Sequence, residues 1–318
     1  MLAGAAHAAD DFFTFTFEDD FFAGRDFGYT GGTQLDWARG PGATFDDVAP
    51  HWIAAMASPL WLAKDPDKLR AVSYKVGLAI FTPLDIEDPV PPKDDLPYSG
   101  LLYFQTTWHA FDEHVADSAY LMLGLVGHDS GAEWAQKTFH RIIGSQKPEG
   151  WNTQLDNEPV IKIGVGRKWR TGAWDFDDSA WGTDLITTTE LGLGTFDSNA
   201  DLGLTLRLGK NLLRSFPTAG LLPGREINPL AGQPVVDFNF FLALLARYQP
   251  NAMYIEGNNF GGRQTDLTLR REQYFFSGGV SWNMGNWGFQ YALARSTKLF
   301  DEAHASQTFG SLSVTYRY

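Results

Sequence analysis

The chain has 318 residues, no Cys, and 25 Lys and Arg against 38 Asp and Glu, which gives a formal net charge of −13. This acidic balance argues against a nucleic-acid-binding protein, because the phosphate backbone has to be met by Lys and Arg. The sequence has no run of about 18 apolar residues, so we expect no transmembrane helix.

The N-terminus reads MLAGAAHAAD, and Ala6-His7-Ala8 has the small-x-small pattern of a signal-peptidase site. We interpret residues 1–8 as the remnant of a signal peptide, with Ala9 as the first mature residue. The alternative is a flexible, Ala-rich end. On the first interpretation the protein is exported, and residues 9–318 form a single domain.

Twelve segments alternate between apolar and polar residues, beginning with FFTFTFED at 12–19. A period of two indicates a β-strand with one apolar and one polar face. Each segment has roughly the nine to eleven residues with which a tilted strand crosses a bilayer. The others lie near residues 29–37, 71–81, 100–110, 115–126, 157–167, 184–194, 201–210, 236–248, 272–282, 287–297 and 311–318.

Two environments explain the apolar faces: the core of a soluble β-sandwich, or the lipid around a membrane barrel. Aromatic residues near the strand ends, an even strand number and the terminal Tyr318 favour the membrane. Arg295 and Arg317 lie on the face that would line the lumen. We therefore predict an all-β fold, a twelve-stranded antiparallel transmembrane β-barrel in the outer membrane of a Gram-negative bacterium.

With both termini in the periplasm, the loops after the first, third and fifth strands face outward. The loop at 40–70 is then periplasmic and long for that side, and its APHWIAAMASPLWLA stretch predicts a short amphipathic segment at the membrane interface.

The first outer loop is acidic, with EDDFFAGRDFGYTGG at 18–32. Asp19, Asp20 and Thr30 offer the oxygen ligands that a hard cation such as Ca²⁺ prefers. The alternative is a hydrophilic loop kept in water by its charges. The second outer loop, 81–100, contains five prolines and we interpret it as structural.

The third outer loop, 131–159, lacks alternation over residues 132–143, which favours a short helix that Pro148 and Gly150 end. Gln136, His140 and Gly144 are spaced by four and therefore share one helix face. His140 on that face can act as a general base that takes a proton from water. A histidine that only hydrogen-bonds within the loop explains the same residues.

Together the three loops resemble the outer-membrane lipid A 3′-O-deacylase family and its uncharacterised relatives. The resemblance spans roughly residues 12–318, and four motifs in the same order make it fairly specific. The matching residues are Glu18-Asp19-Asp20-Phe21-Phe22, Asp26, Tyr29-Thr30-Gly31-Gly32, Phe81-Thr82-Pro83, Asp95-Leu96-Pro97-Tyr98-Ser99-Gly100, Gln136, His140, Ile143-Gly144, the segment 150–159 and the strand LTLRLGKNL at 204–212.

The resemblance implies a calcium-dependent esterase that removes the 3′-linked acyloxyacyl chain of lipid A in the outer leaflet. His140 would activate water, and Asp20 and Thr30 would bind the calcium that polarises the ester. The sequence departs from the family at Asp19, where the family has Asn, and at Gln146, where the characterised enzyme has Glu.

We expect a monomer whose site receives acyl chains from the lipid side while polar groups of the lumen hold the base and the metal. The alternative function is a catalytically inactive barrel, either a lipid-binding or structural relative or a narrow pore.

Overall fold

The computed structural model describes residues 10–23, 28–176, 180–216 and 237–318. The predicted signal-peptidase site and Asp26 lie outside these residues. In the described part of the chain, none of the helices has the length and apolar character needed to cross a membrane.

Twelve antiparallel strands form one closed barrel, as predicted. Each strand pairs with its neighbours in the chain, and β1 closes the barrel against β12, with Phe13 opposite Tyr316. The strands are β1 (Asp10–Asp19), β2 (Gly28–Gly42), β3 (Leu69–Thr82), β4 (Ser99–Phe111), β5 (Val115–Val126), β6 (Glu158–Asp175), β7 (Trp181–Gly194), β8 (Asp197–Lys210), β9 (Asp237–Ala252), β10 (Glu272–Met284), β11 (Trp287–Ser296) and β12 (Thr308–Arg317).

The two faces of the wall differ as the alternation predicts, and Arg317 is buried on the lumen side, but the prediction for Arg295 was wrong, since it is exposed in the same outward row as Leu293. In β1, Phe15 is exposed on the outside of the barrel, whereas Thr16 is buried on the lumen side. In β8, Leu204 and Leu206 are exposed on the outside, whereas Thr205 and Arg207 are buried on the lumen side. Because successive side chains of a strand point to opposite faces, the apolar row covers the outer surface and the polar row fills the inside.

The lumen is filled by side chains. Towards one end, the Asp184 carboxylate accepts hydrogen bonds from both Arg170 and Arg207. Towards the other end an apolar cluster includes Phe81 and Tyr254, whose rings stack at 4.3 Å. We call the end with the apolar cluster the outer end and the opposite one the inner end.

A helix at the outer end, α2 (Ala132–Ile143), has the predicted bounds. It ends at Gly144, which has a φ of 71°, a left-handed conformation that glycine adopts without steric cost. The prediction that Pro148 and Gly150 stop the helix was therefore wrong, since both lie beyond this C-cap. A Cβ on Gly100 of β4 would lie 2.1 Å from the Ala132 Cβ, so glycine lets α2 approach the barrel wall closely.

A second helix, α1 (His51–Ala57), lies in the long connection between β2 and β3 at the inner end. Ile53 packs against Val72 and Trp108, which belong to the outward-facing rows of β3 and β4. The Trp108 indole Nε1–H donates to the Ile53 carbonyl at 3.0 Å. The helix therefore lies on the outside of the barrel wall and leaves Trp52 exposed. A third α-helix of the described residues, α3 (Met253–Glu256), follows β9.

Candidate active site

A cavity of about 100 Å³ lies between α2 and the outer ends of β1, β2 and β3. It brings together three residues that were predicted for the site, Asp19, Thr30 and His140. The complete lining consists of Phe17, Asp19, Thr30, Gly31, Gly32, Thr33, Leu78, Ile80, Ala135, Gln136, Phe139 and His140.

The cavity is on the lipid-facing side of the wall. Phe17, Thr33 and Leu78 lie directly opposite one another across β1, β2 and β3, in the outward-facing row that continues into the exposed Leu35 and Val76. Asp19 belongs to the same row as Phe17, because residues two apart share a face. The expectation that lumen groups hold the base was therefore wrong: α2 folds over the outside of the barrel and creates the cavity there.

His140 lies on the face of α2 that points at the wall and is 5% exposed. Its Nδ1 is 2.6 Å from the backbone carbonyl oxygen of Gln146. A carbonyl oxygen only accepts hydrogen bonds, so Nδ1 carries the hydrogen, and in the neutral ring Nε2 carries the lone pair. The loop that follows α2 thereby fixes the tautomer that a general base requires.

The acidic turn contributes to the cavity unequally. Asp19 lines it at the end of β1, whereas Asp20, in a 3₁₀ turn at 20–23, is 2% exposed and is not part of the lining. The Thr30 hydroxyl lines the cavity and forms a short hydrogen bond with the Thr82 hydroxyl on β3. One carboxylate and one hydroxyl thus stand opposite His140.

Gln146 contributes its backbone to the site. Its side chain is exposed, and the amide Nε2 donates to a Glu87 carboxylate oxygen at 3.2 Å, outside the cavity. Glu149 pairs with Lys147, and Glu158 is held by Asn258 and Asn259. In the described contacts, the side chains of Gln146, Glu149 and Glu158 therefore have partners other than the His140 ring.

The oxygen donors of the acidic turn have the chemistry that a hard cation requires. Asp19 ends β1, Asp20 directly follows it, and Thr30 lies near the start of β2, where Asp19 pairs with Gly31, so the two carboxylates and the hydroxyl come from adjacent strand ends. Calcium takes six to eight oxygen ligands, so backbone carbonyls and water would have to complete its shell. Within the described ranges, the structure has no group of three or more His, Cys, Asp or Glu side chains arranged to hold a metal.

The apolar lining and Gln136 complete the site. Phe139 packs on Phe17 with ring centroids 5.3 Å apart, which joins the helix to the wall. The Trp151 indole Nε1–H donates to the Gln136 Oε1 at 2.8 Å and holds that side chain beside the cavity. The spacing of four between Gln136 and His140 predicts that they share one face of α2. That this face lines a cavity together with Phe17 depends on where α2 packs, which the spacing does not reveal.

A closed barrel with an apolar outer surface, and a cavity between that surface and an outer-end helix, is the architecture of an outer-membrane protein with a site open to lipid. The profile of the family described as "Outer membrane protein LpxR" matches residues 1–318. The chain belongs to the LpxR family of outer-membrane lipid A deacylases.

Solved structures share the barrel. LpxR from Salmonella typhimurium is 16% identical, with a TM-score of 0.77 over 96% of this chain and 99% of that chain. The β domain of the Bordetella autotransporter BrkA is 9% identical, with a TM-score of 0.47 over 98% of this chain and 99% of that one. No curated protein is significantly similar in sequence. At 16% identity, the Salmonella typhimurium LpxR structure establishes the fold alone.

Proposed function

We propose that the protein is an outer-membrane carboxylic ester hydrolase that removes the 3′-linked acyloxyacyl chain of lipid A. The observation that carries this proposal is the lipid-facing cavity in which Asp19, Thr30 and His140 meet. One chain supplies the whole site, so we propose that the protein acts as a monomer.

The position of the cavity suits a lipid substrate. Lipid A lies in the outer leaflet, and the apolar lining of Phe17, Leu78 and Ile80 continues the lipid-facing wall. An acyl chain can reach this lining sideways from the membrane, without entering the lumen. Its ester group then lies between His140 on the helix and the oxygen donors of the acidic turn.

His140 performs the proton transfers. Its Nε2 takes a proton from water as the water oxygen bonds to the ester carbonyl carbon, which gives a tetrahedral oxyanion. Collapse of this intermediate breaks the bond to the sugar oxygen, and the imidazolium returns the proton to that leaving oxygen. The Gln146 carbonyl, 2.6 Å from Nδ1, holds the ring in this tautomer and stabilises the imidazolium.

We propose that Asp20 and Thr30 hold a calcium ion, with the Asp19 carboxylate next to them. Bound there, calcium would polarise the ester carbonyl and offset the oxyanion charge. Asp19 replaces a neutral amide of the family pattern and adds negative charge, which favours cation binding over direct donation to the oxyanion.

The two departures from the family pattern are compatible with activity. At position 146 the group that contacts His140 is a backbone carbonyl, and Gln supplies this carbonyl just as Glu would.

The packed lumen is unfavourable for the alternative function, a narrow pore, because Asp184, Arg170 and Arg207 lie across it.

Expression in a Gram-negative host followed by mass spectrometry of lipid A tests the proposal. We expect loss of one acyloxyacyl unit with the wild type, and unmodified lipid A with His140→Ala. His128→Ala is the matched control, because His128 precedes α2 and its side chain is 75% exposed. Unmodified lipid A with correctly inserted wild type and calcium present would overturn the assignment and leave a non-catalytic barrel.

A further inference from the structure

A second concave feature lies on the outer wall of the barrel, across β5 to β10. This wall groove has a volume of about 680 Å³, within the roughly 300–1,000 Å³ of small-molecule sites. Most of its lining belongs to the outward-facing rows of the strands. These residues are Asp117, Val165, Arg167, Thr189, Leu191, Ala200, Leu202, Ala246, Tyr248, Glu272 and Tyr274, and Trp61 joins the lining from the connection between β2 and β3.

The wall groove follows one line of strand register. Arg167 lies opposite Asp117 and Thr189, and Leu202 lies opposite Thr189 and Ala246. Strands in a barrel tilt by roughly 35–45°, so a line across them climbs obliquely along the wall. The groove therefore runs from Asp117, near the inner end of β5, towards the outer end of β10.

The inner-end mouth of the groove is cationic. Asp117, 2% exposed in its side chain, pairs with Lys68 at 2.6 Å and with Arg167 at 2.5 Å. These two cations share one carboxylate, which leaves a formal charge of +1. The Arg167 side chain is 40% exposed, and Trp61, from the segment that carries α1, forms the edge of the mouth.

The outer-end mouth has the opposite charge, because the exposed Glu272 lies there. Between the mouths, Val165, Leu191, Leu202 and Ala246 give the floor an apolar surface. An anionic head group therefore fits the inner mouth and is repelled at the outer one. Arg binds phosphate oxygens through several N–H donors, and Trp is enriched at the level of lipid head groups.

We propose that the wall groove binds one anionic glycerophospholipid of the inner leaflet. Its phosphate lies against Arg167 and Lys68 beside Trp61, and one acyl chain follows the apolar floor obliquely up the wall. This assignment takes the end with α2 as the outward-facing end. An exposed arginine on a lipid-facing surface is costly in hydrocarbon, and a phosphate partner at the interface removes that cost.

The groove and the candidate active site are independent. The active-site cavity lies on β1, β2 and β3, whereas the groove lies across β5 to β10. Substitutions at Arg167 are therefore expected to leave hydrolysis of lipid A unchanged, so that a negative result for either proposal leaves the other standing.

Native mass spectrometry of the purified, full-length protein in detergent tests the proposal, with phosphatidylglycerol as the probe. We expect saturable binding of one lipid, and about tenfold weaker binding by Arg167→Gln, equivalent to about 1.4 kcal/mol. Arg39→Gln is the matched control: Arg39 faces outward at the inner end of β2 and pairs with Asp11 at 3.6 Å, outside the groove. This control is expected to bind like the wild type. Heat-dependent migration on gels verifies that each variant is folded.

Four results would overturn the assignment. Binding that never saturates, or that Arg39→Gln weakens as much as Arg167→Gln, indicates general lipid around the barrel. Purified lipid A and diacylglycerol serve as competing probes. Displacement of phosphatidylglycerol by diacylglycerol would show that the phosphate is unimportant, and Arg167-dependent displacement by lipid A would assign the groove to the outer leaflet.

Discussion

The contact between His140 and the Gln146 carbonyl leads to a prediction about position 146. The Nδ1–oxygen distance is 2.6 Å and involves the backbone, so it survives a change of side chain. We expect Gln146→Ala to retain most of the hydrolytic activity, although the characterised enzyme of the family has a carboxylate at this position.

The magnitude follows from what the Gln146 side chain does. Its one described hydrogen bond is to Glu87, at 3.2 Å and exposed, which places it at the lower end of the about 0.5–1.5 kcal/mol of a net hydrogen bond. Losing it costs a few-fold at most, since about 1.4 kcal/mol is needed for tenfold. Loss of the base in His140→Gln is expected to cost about 10²–10⁴-fold.

Glutamate at position 146 is expected to give no gain. Gln146→Glu places a second carboxylate beside Glu87, and like charges there repel. The double variant Glu87→Gln with Gln146→Glu exchanges the partners and is expected to restore wild-type activity.

The assay measures the initial rate at which purified protein releases the acyloxyacyl chain from lipid A in detergent micelles, with calcium present. Gln146→Ala as inactive as His140→Gln would refute the reasoning, because the side chain would then be essential. An increase of more than about tenfold in Gln146→Glu would also refute it.

Other consequences concern the buried charges, the metal and one loop carboxyl. Asp184→Ala leaves Arg170 and Arg207 without their shared partner and is expected to lower the unfolding free energy by about 3–5 kcal/mol. Urea titration, with the folded barrel followed on gels, measures this change. An unchanged unfolding midpoint would contradict the prediction. Chelation of calcium is expected to stop hydrolysis, and added calcium is expected to restore it. Thr30→Val is expected to need at least about tenfold more calcium than the wild type for the same hydrolysis rate. Hydrolysis that continues in the presence of a chelator would contradict the calcium assignment. Burial raises the pKa of Asp95 despite hydrogen bonds from the Leu84 and Leu96 amides. The folded state therefore holds the Asp95 carboxyl proton more tightly than the unfolded state does. The stability that protonated Asp95 contributes is complete below its ordinary pKa of 3.8 and is lost as the pH rises through the raised pKa. Hydrogen exchange of the 83–98 loop is expected to speed up over that window in the wild type and to stay flat in Asp95→Asn.

Strand alternation was sufficient to predict the barrel, because the lipid and lumen faces impose a period of two on every strand. The strands differ from the predicted segments mainly in length: β6 runs to Asp175, beyond the predicted 167, and β2 to Gly42, beyond the predicted 37. Both extensions lie near the inner end and contain a β-bulge, between Arg39 and Gly42 in β2 and between Arg170 and Gly172 in β6, which interrupts the period of two.

The placement of the loops could not be read from the sequence. The bounds of α2 follow from local pattern, but its packing on the outside of β1 to β3 depends on the contact of Phe139 with Phe17 and on the close approach at Gly100. Similarly, Trp108 has the parity of a lipid-facing residue and is buried, because α1 covers it. In both cases a distant segment replaces lipid, which a period of two cannot reveal.

Hydrolysis of lipid A in water enriched in the heavy oxygen isotope tests most directly whether His140 activates water against an ester. With the purified wild type we expect the released acyloxyacyl acid to carry one heavy oxygen in its carboxyl group, and the His140→Ala variant to release none. Released acid without the heavy isotope would show that water does not attack the carbonyl carbon. Release by His140→Ala at the wild-type rate would show that His140 is not the base.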